Sequence, residues 1–211
     1  TDASQGRRRR IGRDEGVGVV TLTGSGDKAF CAGGDLEMAS GVLRTLADMR
    51  VHHFHRMLRI SDLITQMGKP VLCAVNGLCV GGGAEIATFC DLVLAAENAS
   101  FVFNGTRLGG CSWWGPPQLL PLQVGVRKAQ EILFFGNPVG AREAESIGLV
   151  NRVVPQAELE SEVDRWCQQL LDRSPSGLRM TKAGMRATME LLLTSLDVAA
   201  EMNAAVQVGP E

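Results

Sequence analysis

The sequence lacks any long apolar run. None of its apolar stretches approaches the ~20 residues that a helix needs to cross a bilayer. One of the longest, 71–80, is interrupted by Asn76 and Gly77. Hydrophobic residues make up 45% of the 211 residues and charged residues 21%, a composition typical of a globular protein rather than a disordered one. We therefore expect no membrane-spanning helix and no membrane partner.

An excess of charge of either sign is also missing, since the formal net charge is −2. Dedicated nucleic-acid binders usually carry a basic domain, so nucleic acid is not an expected partner. One basic cluster stands near the start of the chain and comprises Arg7, Arg8, Arg9, Arg10 and Arg13. No apolar segment follows these arginines, which argues against a secretory signal. We interpret the cluster as a solvated terminus.

The cysteines and histidines show no metal-binding pattern. The six cysteines, at positions 31, 73, 79, 90, 111 and 167, include no C-x-x-C pair, which excludes zinc ribbons and thioredoxin-like motifs. Most of them lie in apolar segments, and this indicates free thiols in a reducing compartment, here the cytoplasm. His52, His53 and His55 offer at most one ligand-like pair on a predicted helix, so we expect no metal.

Short apolar runs alternate with helical patterns along the chain. This alternation predicts an α/β protein with largely parallel strands. The predicted strands are 17–22, 29–32, 71–75, 92–95 and 100–103, and the predicted helices are 42–67, 84–89, 127–135, 141–147, 159–171 and one starting at Pro175 after the N-cap Ser174.

Two glycine clusters each follow a predicted strand, at Gly33-Gly34 and at 81–83. Turns of this kind leave main-chain N–H groups pointing outward, and two such turns side by side could aim two donors at one carbonyl oxygen, as in an oxyanion hole. Simple tight turns are the alternative. A dinucleotide-binding loop is weakly supported because Ile86 replaces the third glycine of G-x-G-x-x-G, and no G-x-x-x-x-G-K-[ST] motif occurs.

Three segments together resemble one family. The segment Phe30–Leu36 resembles the first oxyanion loop of the crotonase (enoyl-CoA hydratase/isomerase) superfamily, and residues 69–77 with 81–91 are similar to its central motif. Residues 144–154 resemble the helix-to-strand segment that follows. The resemblance extends over about residues 17–190.

The resemblance implies a spiral of ββα turns that binds an acyl-CoA thioester, the substrate, without a further cofactor. It implies that the N–H groups of Ala32 and Gly82 stabilise an enolate and that Glu85 matches the first of two catalytic glutamates. It also implies a homotrimer or hexamer. The expected substrate-binding residues are Gly33, Gly34, Asp35, Leu36, Gly81, Ser112 and Trp113.

The sequence departs from the family pattern where the second glutamate is expected. Gly105 stands at that position, and glycine can neither donate nor accept a side-chain proton. This places both the two-carboxylate hydration and the one-base double-bond shift in question. Ser112 falls near a polar group of some decarboxylating or ring-closing members, and the pair Trp113-Trp114 is expected either to form an acyl pocket or to pack against a neighbouring subunit.

The interpretation is therefore a crotonase-like enzyme of the hydratase/isomerase type. Its alternatives are an acyl-CoA decarboxylase or C–C-cleaving member and a non-catalytic, RNA-binding member. We expect a crotonase-like core over residues 1–155, with its N-terminal part incomplete, and a helical trimerisation region over residues 156–211.

Overall fold

The computed structural model describes residues 12, 14–34, 54–196, 198–200 and 202. In these residues eight strands and seven α-helices are defined. The strands are β1 Val20–Thr23, β2 Ala29–Cys31, β3 Val71–Val75, β4 Leu78–Val80, β5 Leu92–Ala96, β6 Ser100–Val102, β7 Val139–Gly140 and β8 Arg152–Val154. The helices are α1 His55–Gln66, α2 Gly82–Phe89, α3 Pro116–Val124, α4 Val126–Phe135, α5 Ala141–Ser146, α6 Leu159–Leu171 and α7 Pro175–Leu193.

Successive strands enter two different sheets. The first sheet has the order β1-β3-β5-β8 with every pair parallel, and the second has the order β2-β4-β6-β7. In the second sheet only the pair β6–β7 is antiparallel. From β1 to β6 the chain changes sheet after each strand, so it advances as a spiral of strand–strand–helix units, and β7 then stays in the second sheet beside β6. The predicted α/β class with largely parallel strands is confirmed.

The central strand β3 shows why the sheets form. All five of its residues are buried, as expected for a parallel strand covered on both faces. Its neighbours β1 and β5 pair with it in register, so that Cys73 lies opposite Leu22 on one side and Val93 on the other. The largest fully buried side chains include Trp114, Phe101 and Phe103, which places the loop after β6 in the core.

Most predicted elements agree with the structure, and the disagreements have local causes. The strand β4 was not predicted, because three residues between two glycine turns are too few to show a periodic pattern. The helix α3 begins before the predicted helical region and contains Pro121, a residue that normally interrupts a helix. The predicted N-cap is confirmed, since the Ser174 hydroxyl accepts a hydrogen bond from the Gly177 N–H at 3.2 Å.

One lysine of helix α7 makes several polar contacts with the core. The Lys182 ammonium donates to the carbonyls of Ile64 at 2.8 Å and Lys69 at 3.0 Å, and it lies 2.6 Å from the Asp91 carboxylate. These hydrogen bonds connect the C-terminal helical region to the core. The predicted division of the chain at residues 155 and 156 stays a prediction.

Two findings bear on membranes and metals. Among the helices that the structure describes, none is long and apolar enough to cross a membrane. Over the same residues, no group of three or more histidine, cysteine or acidic side chains is arranged to hold a metal ion. Of the three histidines, only His55 lies within the described residues.

Candidate active site

The two glycine turns predicted from the sequence lie side by side. Strand β2 pairs in parallel with β4, with Cys31 opposite Cys79, so both strands end at the same edge of the second sheet. Their turns contact each other closely, because a Cβ atom built on Gly81 would lie 3.9 Å from the Cα atom of Gly33. The topology therefore brings together two segments that lie almost fifty residues apart in the sequence.

Glycine is required at three positions of these turns. Gly33 has φ +103° and Gly81 has φ +51°, a backbone conformation that residues with a Cβ atom rarely adopt. At Gly83 the reason is contact, since a Cβ atom there would lie 2.6 Å from the Cβ atom and 2.8 Å from the carbonyl oxygen of Cys31. The start of α2 is thus packed directly against the end of β2.

Gly82 and Gly34 are different, because a Cβ atom on either would meet nothing within 4 Å. Gly82 is the first residue of α2, so its N–H has no partner inside the helix. Ala32, the other predicted donor, is exposed on the adjoining turn. The two predicted donors thus lie on neighbouring turns that are open on one side, although their action on a carbonyl stays a prediction. Asp35 and Leu36 lie outside the described residues.

Glu85 lies in the first turn of α2 and is only 5% exposed. Burial raises the pKa of its carboxyl from the usual 4.5 to about 8. The hydrogen bond that the carboxylate accepts from the main-chain N–H of Trp114 lowers the pKa, but by less than burial raises it. The positive end of the helix dipole also favours the carboxylate. Desolvation wins, so the group is mostly protonated at pH 7 and titrates close to neutrality.

Gly105 stands where the family pattern has a second glutamate, and the space beside it is occupied by the protein's own main chain. A Cβ atom on Gly105 would lie 2.2 Å from the carbonyl carbon of Cys111 and 2.3 Å from the main-chain nitrogen of Ser112. The loop that follows folds back onto Gly105, and the Gly110 N–H donates to the Gly105 carbonyl at 2.9 Å.

Cys111 is a residue of this site that sequence reasoning missed. Partial burial, and then the charge of the Glu85 carboxylate, raise the pKa of its thiol above the usual value. The thiol therefore keeps its proton over the range in which Glu85 ionises. The one sequence signal was its place, six residues after a glycine that takes the position of an acid.

Ser112 and Trp113 are both buried. The Ser112 hydroxyl lies 3.4 Å from the Gly105 N–H, from which it accepts a hydrogen bond. The ring of Trp113 packs edge-on against Phe54, with centroids 4.6 Å apart. The two arrangements expected for the tryptophans were an acyl pocket and a subunit contact, whereas both rings lie in the core of their own chain. Substrate contact by Ser112 and Trp113 stays a prediction.

Known proteins show the same architecture. The family model described as enoyl-CoA hydratase/isomerase matches residues 9–208. The crystal structure of an enoyl-CoA hydratase from Bacillus anthracis is 30% identical, with a TM-score of 0.81 over 94% of this chain and 78% of that one. An enoyl-CoA hydratase/isomerase from Mycobacterium paratuberculosis is 27% identical, with a TM-score of 0.88 over 96% of this chain and 80% of that one.

A third solved structure carries the name of a different reaction. It is a monofunctional enoyl-CoA isomerase from M. smegmatis, 31% identical, with a TM-score of 0.70 over 88% of this chain and 78% of that one. The family match over nearly the whole sequence agrees with the spiral of parallel strands and with the adjoining glycine turns. The chain belongs to the enoyl-CoA hydratase/isomerase family, the crotonase superfamily.

Proposed function

We propose that this protein binds an acyl-CoA thioester and transfers protons at the carbon next to its carbonyl. In this proposal the N–H groups of Ala32 and Gly82 bind the thioester oxygen and stabilise the enolate, as donors do in an oxyanion hole. Glu85 accepts and returns the proton. The CoA part belongs to the substrate, and the reaction needs no further cofactor.

One observation carries the proposal. The Glu85 carboxyl is buried in the first turn of the helix that begins at the open glycine turn, and its pKa is about 8. A group whose pKa lies near the working pH is suited both to remove a proton and to give it back. The contact between Gly81 and Gly33 supports the proposal further, because the two turns that carry the predicted donors lie side by side.

The reaction class that we propose is hydration or double-bond isomerisation of an enoyl-CoA. In isomerisation, the Glu85 carboxylate removes a proton from one carbon, the electron pair moves into the thioester enolate, and the same proton returns to another carbon. In hydration, Glu85 accepts a proton from the water that adds to the double bond, and the enolate then takes up a proton at its α-carbon. A single buried carboxyl supports the first reaction directly, and the second needs a further proton source.

We also propose a homotrimer or hexamer located in the cytoplasm. An apolar patch supports the assembly: Phe134 and Phe135 at the end of α4 are 67% and 64% exposed, and Leu108 is 64% exposed. Leu108 lies close to them, because Thr106 in the same turn hydrogen-bonds to the Leu133 carbonyl at 3.1 Å. All six cysteines are free thiols, which suits a reducing compartment. Light scattering after size exclusion measures the assembly.

The decisive experiment compares the protein with its Glu85→Gln variant. Crotonyl-CoA reports hydration, a 3-enoyl-CoA reports isomerisation, and a malonyl-type CoA reports decarboxylation through release of carbon dioxide. We expect turnover of an enoyl-CoA and a loss of about 10²–10⁴ in the variant, with binding of the CoA ester retained in calorimetry. Unchanged turnover in the variant would remove Glu85 from the mechanism. Release of carbon dioxide alone would establish the decarboxylase instead, and salt-sensitive RNA retention without any turnover would indicate the non-catalytic alternative.

A further inference from the structure

The carboxylate of Glu85 is held by a loop on a different part of the chain. Its hydrogen-bond donor is the main-chain N–H of Trp114, which lies just before helix α3. A main-chain donor can be aimed at a buried carboxylate only if the loop that carries it is fixed, because loops of this kind otherwise have several conformations. The contacts of Trp114 therefore decide whether this hydrogen bond is kept.

The ring of Trp114 is fixed from two sides. Its Nε1–H donates to the hydroxyl of Ser61 at 3.1 Å, in a hydrogen bond between two buried side chains. The same ring packs against Phe89, with centroids 5.4 Å apart and an interplanar angle of 45°. Phe89 is the last residue of α2, the helix that also carries Glu85. The loop is thus attached both to α1 and to the helix whose carboxylate it contacts.

The neighbouring residues are adapted to this arrangement. Gly115 has φ +98°, and a Cβ atom there would lie 2.5 Å from Cζ of Phe89, so only glycine lets the chain turn at this contact. The Ser61 hydroxyl donates to the Leu58 carbonyl of its own helix at 2.8 Å. Its oxygen is thereby oriented to accept the indole N–H, since a hydroxyl has one proton and two acceptor sites.

We propose that Ser61 and Trp114 are positioning residues for Glu85, and that the hydrogen bond between their side chains fixes the main-chain N–H that holds its carboxylate. The importance of this positioning for catalysis rests on the proposed function of Glu85. It makes Ser61 a determinant of the site although Ser61 lies on another helix and its hydroxyl contacts Trp114 rather than Glu85.

After burial, this hydrogen bond is the main influence on the pKa of Glu85. The charge of Glu85 acts on Cys111, whose raised pKa keeps its thiol protonated in the relevant range. Helix α3 carries no charged residue. The thiols of β2 and β4 belong to Cys31 and Cys79, and burial raises the pKa of Cys79 far above neutrality. The charged or titratable side chains of α1 that are exposed to solvent are His55, Arg56, Arg59 and Asp62.

The test is a titration of Glu85 in the parent protein and in variants of the residues around it, followed by carbon-13 NMR of glutamate side-chain carboxyls. Glu85→Gln identifies the signal. Ser61→Ala removes the acceptor, and Trp114→Phe removes the indole N–H while keeping an aromatic ring against Phe89. We expect both to raise the pKa of Glu85 by about 0.5–1, because a hydrogen bond to a charged group is weakened. Trp113→Phe is the matched control, since Trp113 is equally buried but the N–H that reaches Glu85 belongs to its neighbour.

The outcomes separate this proposal from the proposed function. An unchanged titration in folded Ser61→Ala and Trp114→Phe overturns the positioning role, as does an equal shift in Trp113→Phe, which would indicate packing alone. Should Trp114→Phe fail to fold, Ser61→Ala and the rescue variant Ser61→Thr, which keeps an acceptor oxygen and should restore the titration, still decide. Because the titration needs no turnover, an inactive protein that shows the expected shifts would refute the proposed reaction and leave the positioning role intact.

Discussion

Two glycine-containing turns of this protein have opposite relations to the space around them. At Gly82 an added Cβ atom meets nothing within 4 Å, whereas at Gly105 it would lie 2.2 Å from the main chain of Cys111. The first glycine leaves room for a molecule from outside, and the second leaves room for the protein's own loop. The same residue type therefore borders open space in one place and internal packing in the other, and only the surroundings distinguish them.

The comparison extends to the two acid–base positions of the family. The turn at 81–83 leads into Glu85, whose carboxyl is present and buried, while the loop at 105–112 offers a thiol and a hydroxyl. At Gly105 the absence of a side chain leaves no cavity, because the protein's own loop occupies that space. The carboxyl of Glu85 titrates near neutrality because it is buried and few polar groups solvate it.

The largest effect expected at either of the two glycines concerns the open turn. Gly82→Pro removes the proposed oxyanion donor, and proline is tolerated at the first position of a helix, where its missing N–H has no helical partner. We expect a loss of about 10²–10³ in kcat, the scale measured for a single oxyanion-hole donor. Initial rates with an enoyl-CoA measure this, after circular dichroism has shown that the fold is kept. A folded variant with a normal rate would contradict the donor role of Gly82.

The second prediction contrasts the two glycines directly. Gly105→Ala should lower the free energy of unfolding by about 3 kcal/mol, because its Cβ atom overlaps backbone atoms that cannot rotate away. Gly82→Ala should change it by no more than about 0.5 kcal/mol. Urea unfolding of the two variants provides the measurement. Equal stabilities would show that the loop at 111–112 moves freely, and a glutamate at position 105 would then become a practical way to restore a second carboxyl.

The third prediction concerns pH. Since the carboxylate is the form that removes a proton, kcat/KM should rise about tenfold from pH 6 to pH 7 and level off above pH 8.

The free energy of unfolding should fall as the pH rises over the same range. The folded protein keeps the Glu85 proton up to about pH 8 and the unfolded chain loses it near 4.5, so the unfolded state binds fewer protons between these values. This group therefore lowers the free energy of unfolding by about 1.4 kcal/mol per pH unit in that window.

Glu85→Gln provides the control for this slope. The variant cannot ionise at position 85, so the difference in unfolding free energy between it and the parent should grow from pH 5 to pH 8 in favour of the variant. Parallel stability curves over that range would mean that Glu85 is not buried in solution as the structure shows.

The smallest expected effect belongs to the thiol beside Glu85. Cys111→Ala removes a polar group near the carboxylate and should lower turnover about twofold to tenfold, the scale of one ordinary hydrogen bond. Cys167→Ala on helix α6 is the matched control and should be neutral. Protection of Cys111, but not Cys167, from iodoacetamide by a bound CoA ester would place the thiol at the substrate. A larger loss than in Glu85→Gln would make Cys111 the main acid–base group.

Much of the fold could be predicted from the sequence because its information is local. The bounds of β3 and α6 follow from a continuous apolar run and from helical periodicity, respectively, and Ser174 with Pro175 marks the start of α7. The failures are also local in origin. Strand β4 has three residues, too few for any period to show, and α3 contains a proline that a sequence pattern treats as an interruption.

The sequence alone determined the family, the two glycine turns and Glu85, because glycine clusters after buried strands and an acid at a helix start are read from neighbouring residues. What it could not determine is which residues surround that acid. The loop after Gly105 folds back and carries Cys111, on which the charge of Glu85 acts. The indole N–H of Trp114 donates to the hydroxyl of Ser61, 53 residues earlier in the chain. Such contacts join residues distant in the chain, and their energies depend on distances of a few tenths of an ångström. Those distances exist only once the two sheets and helices α1, α2 and α3 have packed together.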